Sequence, residues 1–68
     1  MELRDIRYFT VVAEKENIGR AAEVLGLSAT ALSKSLRRLE VSMGAKLVKR
    51  APNGIALTVV GAALLARI

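Results

Sequence analysis

The feature that most restricts how this chain can fold is a pair of short amphipathic helices joined by a tight turn. The sequence predicts the first helix over residues 17–25, the turn over 26–28 and the second helix over 29–43. The two helices are expected to be capped by Asn17 and Ser28. Gly26 stands where the chain leaves the first helix, and glycine tolerates the left-handed conformation at which helices commonly end. Such a pair is a helix-turn-helix, and one narrow apolar stripe would hold its second helix in place. The stripe consists of Leu32, Leu36, Leu39 and Met43.

The side of the second helix that faces away from this stripe is basic. A short, rigid helix with cations on its free side fits the major groove of DNA. We therefore expect residues 29–43 to form a recognition helix that enters the groove with its N-terminal half deepest. The predicted contacts to base edges or to the flanking backbone are Ser28, Ala29, Thr30, Ser33, Lys34, Arg37 and Arg38.

Three charged residues of this helix have distinct expected roles. Arg37 is predicted to bond a guanine in a bidentate way, which is worth roughly 1–3 kcal/mol of discrimination between bases. A phosphate contact is the alternative for Arg37 and the favoured role for Arg38. Glu40 lies toward the side of the apolar stripe, so we expect it to form a local ion pair rather than a DNA contact.

The distribution of charge along the chain supports the same interpretation. Residues 28–50 contain six cations and a single acid, which accounts for the whole net charge of +5. Acids balance cations in the rest of the chain. A polyanionic partner explains this concentration better than general solubility does, and the alternative is an ordinary solvated face.

Length and composition exclude several classes of function. A chain of 68 residues forms one domain, near the lower limit for a self-sufficient core. It has no cysteine, no histidine and only scattered acids, so we expect no disulfide, metal, cofactor or enzymatic activity. The charged N-terminus is not a signal peptide, and the apolar stretch 55–66 is shorter than the roughly twenty residues that cross a bilayer. The expected location is the cytoplasm, at the nucleoid, without membrane association.

A further helix is predicted on each side of this region. Apolar residues recur at helical spacing over about 3–16. Thr58 can cap a last helix over 59–68, although Gly61 weakens it. This last helix carries more apolar surface than one small domain needs, so we expect it to pair with a second copy of the chain.

A two-stranded hairpin is predicted before the last helix. Its expected strands are residues 46–50 and 55–57. In the turn between them, Asn53 and Gly54 are expected to accept positive φ. A hairpin in this position, here over residues 45–57, is called a wing. Its predicted phosphate contacts are Lys49, Arg50 and Asn53, and Lys46 is either a contact or solvated.

Taken in order, these motifs resemble the LysR-type bacterial transcriptional regulators. The resemblance covers nearly all positions and is carried by Leu3-Arg4-Asp5-Ile6-Arg7-Tyr8-Phe9, Arg20-Ala21-Ala22 with Leu25, Ala31-Leu32-Ser33, Arg37-Arg38-Leu39-Glu40, Gly44 with Leu47 and Arg50, and Leu57-Thr58 with Gly61. It implies a mainly α fold, a winged helix-turn-helix with a three-helix core, a two-stranded β wing and the start of a linker helix. The implied division is a DNA-binding domain over 1–58 and a truncated linker helix over 59–68.

The same resemblance implies partners. In this family a long linker helix pairs two copies into a homodimer, and a small-molecule effector binds in a C-terminal domain that is expected to lie outside this chain. One departure stands in the recognition helix, where Ala29-Thr30 replaces the common Gln-Pro. Thr30 would then supply a hydroxyl and a methyl group for base or phosphate contact.

The predicted function is therefore sequence-specific binding to double-stranded DNA by a transcriptional regulator. Two alternatives stay open on the sequence alone. The basic face can instead dock an acidic protein partner, or the segment 59–68 can rest on a membrane surface. Orderly capped helices argue against the membrane surface, and cations on the far side of a short helix after a turn favour DNA over a protein.

Overall fold

The structure, a computed structural model, describes residues 2–68. This part of the chain contains four α-helices and one antiparallel hairpin. The elements follow in the order α1 (Leu3–Lys15), α2 (Ile18–Leu25), α3 (Ala29–Met43), β1 (Val48–Ala51), β2 (Gly54–Leu57) and α4 (Val59–Arg67). The predicted class, a mainly α winged helix-turn-helix, is confirmed. Each element also lies within about two residues of its predicted bounds.

Side-chain caps begin three of these helices at the predicted residues. At α2 the Asn17 side chain accepts a hydrogen bond from the backbone N–H of Arg20 at 2.9 Å. At α3 and α4 the hydroxyls of Ser28 and Thr58 each accept one at 3.0 Å from the backbone N–H three residues further on. Each cap satisfies an N–H that the first helical turn leaves unpaired, a contribution of about 1 kcal/mol.

Residues in the left-handed conformation end the first three helices. Gly26 and Gly44 end α2 and α3 at φ 69°, and Glu16 ends α1 at φ 55°. Among the described residues, Glu16 is the only one other than glycine with a positive φ, so the prediction of a positive φ for Asn53 is wrong. The turn places its positive φ on Gly54 alone, at 140°, where a side chain would collide with the carbonyl oxygen of Glu16.

The core lies between the first three helices and continues beneath the wing. The leucine stripe of α3 is buried as predicted, with Leu32 and Leu39 at 0% exposure and Leu36 at 7%. Burying one such side chain stabilises the fold by roughly 1.5–3 kcal/mol. The buried residues form two clusters, which are Phe9, Leu36, Leu39 and Leu47, and Val12, Ala21, Ala22 and Leu32.

One main-chain hydrogen bond attaches the wing to the helical part of the fold, and another closes the base of the hairpin where α4 begins. β1 and β2 pair in antiparallel register, with Arg50 opposite Ile55. The N–H of Ile55 donates to the carbonyl of Glu16, between α1 and α2, at 3.0 Å. The N–H of Thr58 donates to the carbonyl of Leu47 at 3.0 Å. An isolated two-stranded hairpin is marginally stable, so these attachments and the packing beneath it hold the wing in place.

The first turn of α4 packs closely against the residue that precedes β1. Gly61 is buried, and a Cβ at this position would collide with the carbonyl oxygen of Leu47. Gly61 has a low helix propensity, but its lack of a side chain permits this contact between α4 and Leu47. Val59 on α4 is 88% exposed and Ile68, directly after α4, is 59% exposed, so the predicted surplus of apolar surface is present.

Candidate nucleic-acid interface

The outward face of α3 carries the side chains predicted to enter the major groove. Thr30, Ser33, Lys34 and Arg37 are all exposed, whereas the leucines on the opposite side are buried. Val41 is on the same outward face and is 76% exposed. The helix is thus fixed by its inner side and presents hydroxyl, methyl and cationic groups to solvent.

The N-terminal end of α3 is exposed as well. Ser28 uses its hydroxyl oxygen to cap the helix, and its O–H can still donate to a phosphate oxygen. Ala29, the first helical residue, offers a methyl group and a backbone N–H. Unpaired N–H groups at a helix start attract anions. Both predicted residues are therefore placed where a phosphate can approach.

A cleft between α3 and the wing brings five of the predicted contacts together. Thr30, Ser33, Lys34 and Arg37 line it from the helix, and Arg50 lines it from β1. The helix face and one face of the wing therefore form a single basic surface, which the sequence predicted only as two separate segments.

Two predicted wing contacts do not line this cleft. Lys49 precedes Arg50 on β1, and since side chains alternate along a strand it points to the opposite face of the hairpin. Asn53 is exposed at the turn that joins the strands. Both side chains therefore lie outside the cleft.

Glu40 supports the approach to the wing. Its Oε2 accepts a hydrogen bond from the backbone N–H of Leu47 at 2.8 Å, and its Oε1 lies 3.8 Å from Nζ of Lys46. The side chain of Lys46 is 76% exposed, so the ion pair is loose. The expected local ion pair of Glu40 is confirmed, and the hydrogen bond to Leu47 was not foreseen.

A buried acid joins α1 to the recognition helix. The side chain of Asp5 is 3% exposed, and Oδ1 accepts a hydrogen bond from the hydroxyl of Ser35 at 2.5 Å. Arg38 binds the same carboxylate through two nitrogens, with Nη2 at 2.8 Å from Oδ1 and Nε at 3.2 Å from Oδ2. The Arg38 side chain stays 54% exposed. This predicted phosphate contact is therefore the guanidinium of a partly buried ion pair.

The hydrogen bond from Arg38 holds the pKa of the Asp5 carboxyl below its ordinary value. Burial opposes this shift, and the hydroxyl of Ser35 adds to it. The carboxylate is thus ionised at neutral pH. Sequence reasoning missed this cluster, although Asp5 shares the helical spacing of the buried Phe9 and Val12, and an acid at such a spacing signals a buried ion pair.

Other types of site receive no support from the described part of the chain. Residues 2–68 contain no group of three or more side chains suited to holding a metal ion. The helices within this range are all too short or too polar to cross a membrane.

A sequence model of the family described as "Bacterial regulatory helix-turn-helix protein, lysR family" matches residues 3–62. The chain belongs to the LysR family. The match extends from α1 through the helix-turn-helix and the wing into the first turn of α4. The resemblance inferred from the motifs is thereby confirmed.

Curated LysR-family relatives are much longer than this chain. It is 48% identical over 61 residues to the HTH-type transcriptional regulator BudR of Raoultella terrigena, and the aligned segment covers 90% of this chain and 21% of that protein. It is 44% identical over 63 residues to BudR of Klebsiella aerogenes, and the aligned segment covers 93% of this chain and 44% of that protein. The chain thus spans between about a fifth and less than half of the length of these relatives.

Solved structures of LysR-family domains have the same fold. The DNA-binding domain of CbnR, crystallised with DNA, superposes with a TM-score of 0.92 at 37% identity, over 98% of this chain and 77% of that one. The DNA-binding domain of BenM, crystallised with catB site 1 DNA, superposes with a TM-score of 0.92 at 31% identity, over 98% and 74%. Both of these domains were captured on DNA.

Proposed function

We propose that this chain binds double-stranded DNA sequence-specifically, as the DNA-binding domain of a bacterial transcriptional regulator. The observation that supports this most directly is the exposure of Lys34, Arg37 and Arg50 around one cleft between the recognition helix and the wing. Membership of the LysR family and the likeness to domains solved on DNA support it independently.

In the proposed complex α3 enters the major groove with its N-terminal half deepest. Thr30, Lys34 and Arg37 then lie nearest the base edges, and a bidentate Arg37–guanine pair contributes roughly 1–3 kcal/mol of discrimination. The proposed backbone contacts lie around this reading face and consist of Ser28, Ala29, Ser33, Arg38, Lys49, Arg50 and Asn53. Phosphate contacts fix the position of the domain, and base contacts fix its sequence preference.

The rest of the chain has a role in assembly in this proposal. Residues 1–58 form the DNA-binding unit, and 59–68 begin a helix that pairs two copies through its exposed apolar residues, among them Val59. The domain works by binding rather than catalysis, on chromosomal DNA in the bacterial cytoplasm. A small-molecule effector binds elsewhere in a longer protein.

Two measurements test the proposal. Selection of bound sites from random duplex DNA should enrich one short motif, and two inverted copies of that motif would indicate pairing of the chain. Fluorescence polarisation with the enriched duplex and a scrambled duplex should show tighter binding to the former. Equal affinity for both duplexes, or binding to acidic polypeptide with none to DNA, would refute sequence-specific DNA binding and favour docking of an acidic protein.

A further inference from the structure

The ion pair between Asp5 and Arg38 leaves part of the arginine free for a second partner. A guanidinium has five N–H donors, and the carboxylate takes those of Nε and one of Nη2. Within residues 2–68, Arg38 donates to no other side chain or backbone group. The edge formed by Nη1 and the remaining Nη2 hydrogen is therefore unoccupied, and this edge matches the spacing of two phosphate oxygens.

The carboxylate holds the guanidinium in one orientation. Asp5 is itself fixed, because its side chain is 3% exposed and the hydroxyl of Ser35 binds Oδ1. Every buried side-chain nitrogen and oxygen in the described residues has a hydrogen-bond partner, so the cluster is fully satisfied without DNA. The Arg38 side chain, which is 54% exposed, is thus held in place at the guanidinium edge that binds the Asp5 carboxylate, and its other edge is open to solvent.

Arg38 lies on the opposite side of the recognition helix from the wing. One cleft beside α3, on the side of α1, is lined by Asp5 and Arg38, and the cleft on the side of the wing is lined by Ser33 and Arg50. Arg37 borders both clefts. A helix in the major groove has a phosphate backbone on each side of it, so Arg38 and Arg50 are placed to meet opposite strands.

We propose that Asp5 is a positioning residue for DNA binding, which fixes Arg38 as a preformed phosphate clamp on the strand opposite the wing. This inference rests on the proposed function. Arginine is among the side chains that lose most rotamer freedom when they are ordered, and the buried carboxylate removes this cost before DNA arrives. The negative charge of Asp5 itself repels phosphate, so the proposal requires the gain from ordering Arg38 beforehand to exceed this cost.

The change in DNA affinity on Asp5→Asn has one sign if Asp5 positions Arg38 and the opposite sign if Asp5 only neutralises the charge of Arg38. Removing an acid near a phosphate backbone ordinarily strengthens binding. For the clamp, Asp5→Asn instead weakens binding to a labelled duplex of mixed sequence by about three- to tenfold, because Arg38 must then be ordered during binding. In an Arg38→Gln background, Asp5→Asn has no weakening effect, because there is no guanidinium left to position.

The experiment is polarisation titration of the full chain at roughly 50 and 200 mM salt, with active protein measured by stoichiometric titration. Arg38→Gln should flatten the dependence of log K on log salt by about 0.9. Glu2→Gln is the matched control, because Glu2 lines the same cleft and pairs with Arg4 rather than with Arg38. Its affinity should equal or exceed that of the wild type.

A second variant keeps the test sharp if Asp5→Asn does not fold. Arg38→Lys keeps the charge but cannot hold a carboxylate and a phosphate with one rigid fork, so we expect about threefold weaker binding at an unchanged salt slope. Tighter binding by Asp5→Asn, an unchanged slope in Arg38→Gln, or wild-type affinity in Arg38→Lys would each overturn the clamp alone. A wild-type chain that does not bind the duplex would overturn the proposed function together with the clamp.

Discussion

The α carbon of Gly61 lies directly against the carbonyl group of Leu47, so the start of α4 and the residue that precedes β1 are in contact through their main chains. The hydrogen bond from the N–H of Thr58 to the same carbonyl, at 3.0 Å, strengthens this joint. The position and direction of α4 relative to the wing depend on a residue without a side chain.

Gly61→Ala should destabilise the fold even though alanine is the better helix former. The added Cβ would collide with a backbone oxygen that cannot move aside as a side chain can, and we expect a loss of about 1–3 kcal/mol in the free energy of unfolding. Urea denaturation followed by circular dichroism measures it. Gly19→Ala is the control, since the new Cβ would lie 3.3 Å from a side-chain oxygen, and its stability should be within about 1 kcal/mol of the wild type. Equal effects at both positions would show that the contact at Leu47 is unimportant.

Acid should remove the stabilising contribution of Asp5. The pKa of this carboxyl is lowered in the folded state by the hydrogen bond from Arg38, so its contribution is fully present above the unfolded pKa of about 3.9 and is lost as the pH falls through the lower folded value. The difference in the free energy of unfolding between the wild type and Asp5→Asn should therefore be largest at neutral pH and should shrink below about pH 4. Parallel urea denaturation of both proteins across this range measures it. The exposed Glu23→Gln serves as the control, and a difference for Asp5→Asn that is constant with pH would contradict the prediction.

Arg50→Ala should weaken binding to all DNA sequences by a similar factor. Loss of one phosphate contact flattens the dependence of log K on log salt by about 0.9, because one fewer counterion is released. Polarisation titration at several salt concentrations measures the slope. Arg67→Ala removes the same charge from the end of α4, outside the basic surface, and should leave the slope closer to that of the wild type. If the two variants have the same slope, Arg50 is not a phosphate contact.

Lys34→Ala and Arg37→Ala should instead change which base is preferred. Both residues border the cleft from the outward face of α3, and a base contact is worth roughly 1–3 kcal/mol of discrimination at one position. Repeating the site selection with each variant should relax the motif at one position and leave the others intact. A uniform loss of affinity across all sequences would assign both residues to the phosphate backbone.

The sequence predicted those parts of the fold that arise from local patterns. The caps at Asn17, Ser28 and Thr58 form the expected hydrogen bonds, because a cap and its N–H lie three residues apart. The leucine stripe of α3 is buried, because helical periodicity alone decides which residues share a face. The hairpin forms around its turn for the same reason of proximity.

Contacts between distant parts of the chain were not predicted. Asp5 meets Arg38 across 33 residues, and a pattern within α1 can show that the acid is buried without showing its partner. Helix propensity predicts only that Gly61 weakens α4, because propensity does not register the Leu47 carbonyl beside the glycine. The positive φ expected at Asn53 is absent as well, because the turn has its positive φ at Gly54, which packs against the carbonyl of Glu16 between α1 and α2.

The attachment of the wing to the helices has a consequence for the shape of DNA that the domain accepts. The bond from Ile55 to Glu16 and the contact between Leu47 and Gly61 tie the hairpin to the helices before and after it. The span from the groove floor to the phosphates on either side is then set by the protein. In the proposed complex we therefore expect operators with a matching groove width to bind without distortion, and stiffer or narrower tracts to lose affinity at base pairs that no side chain touches.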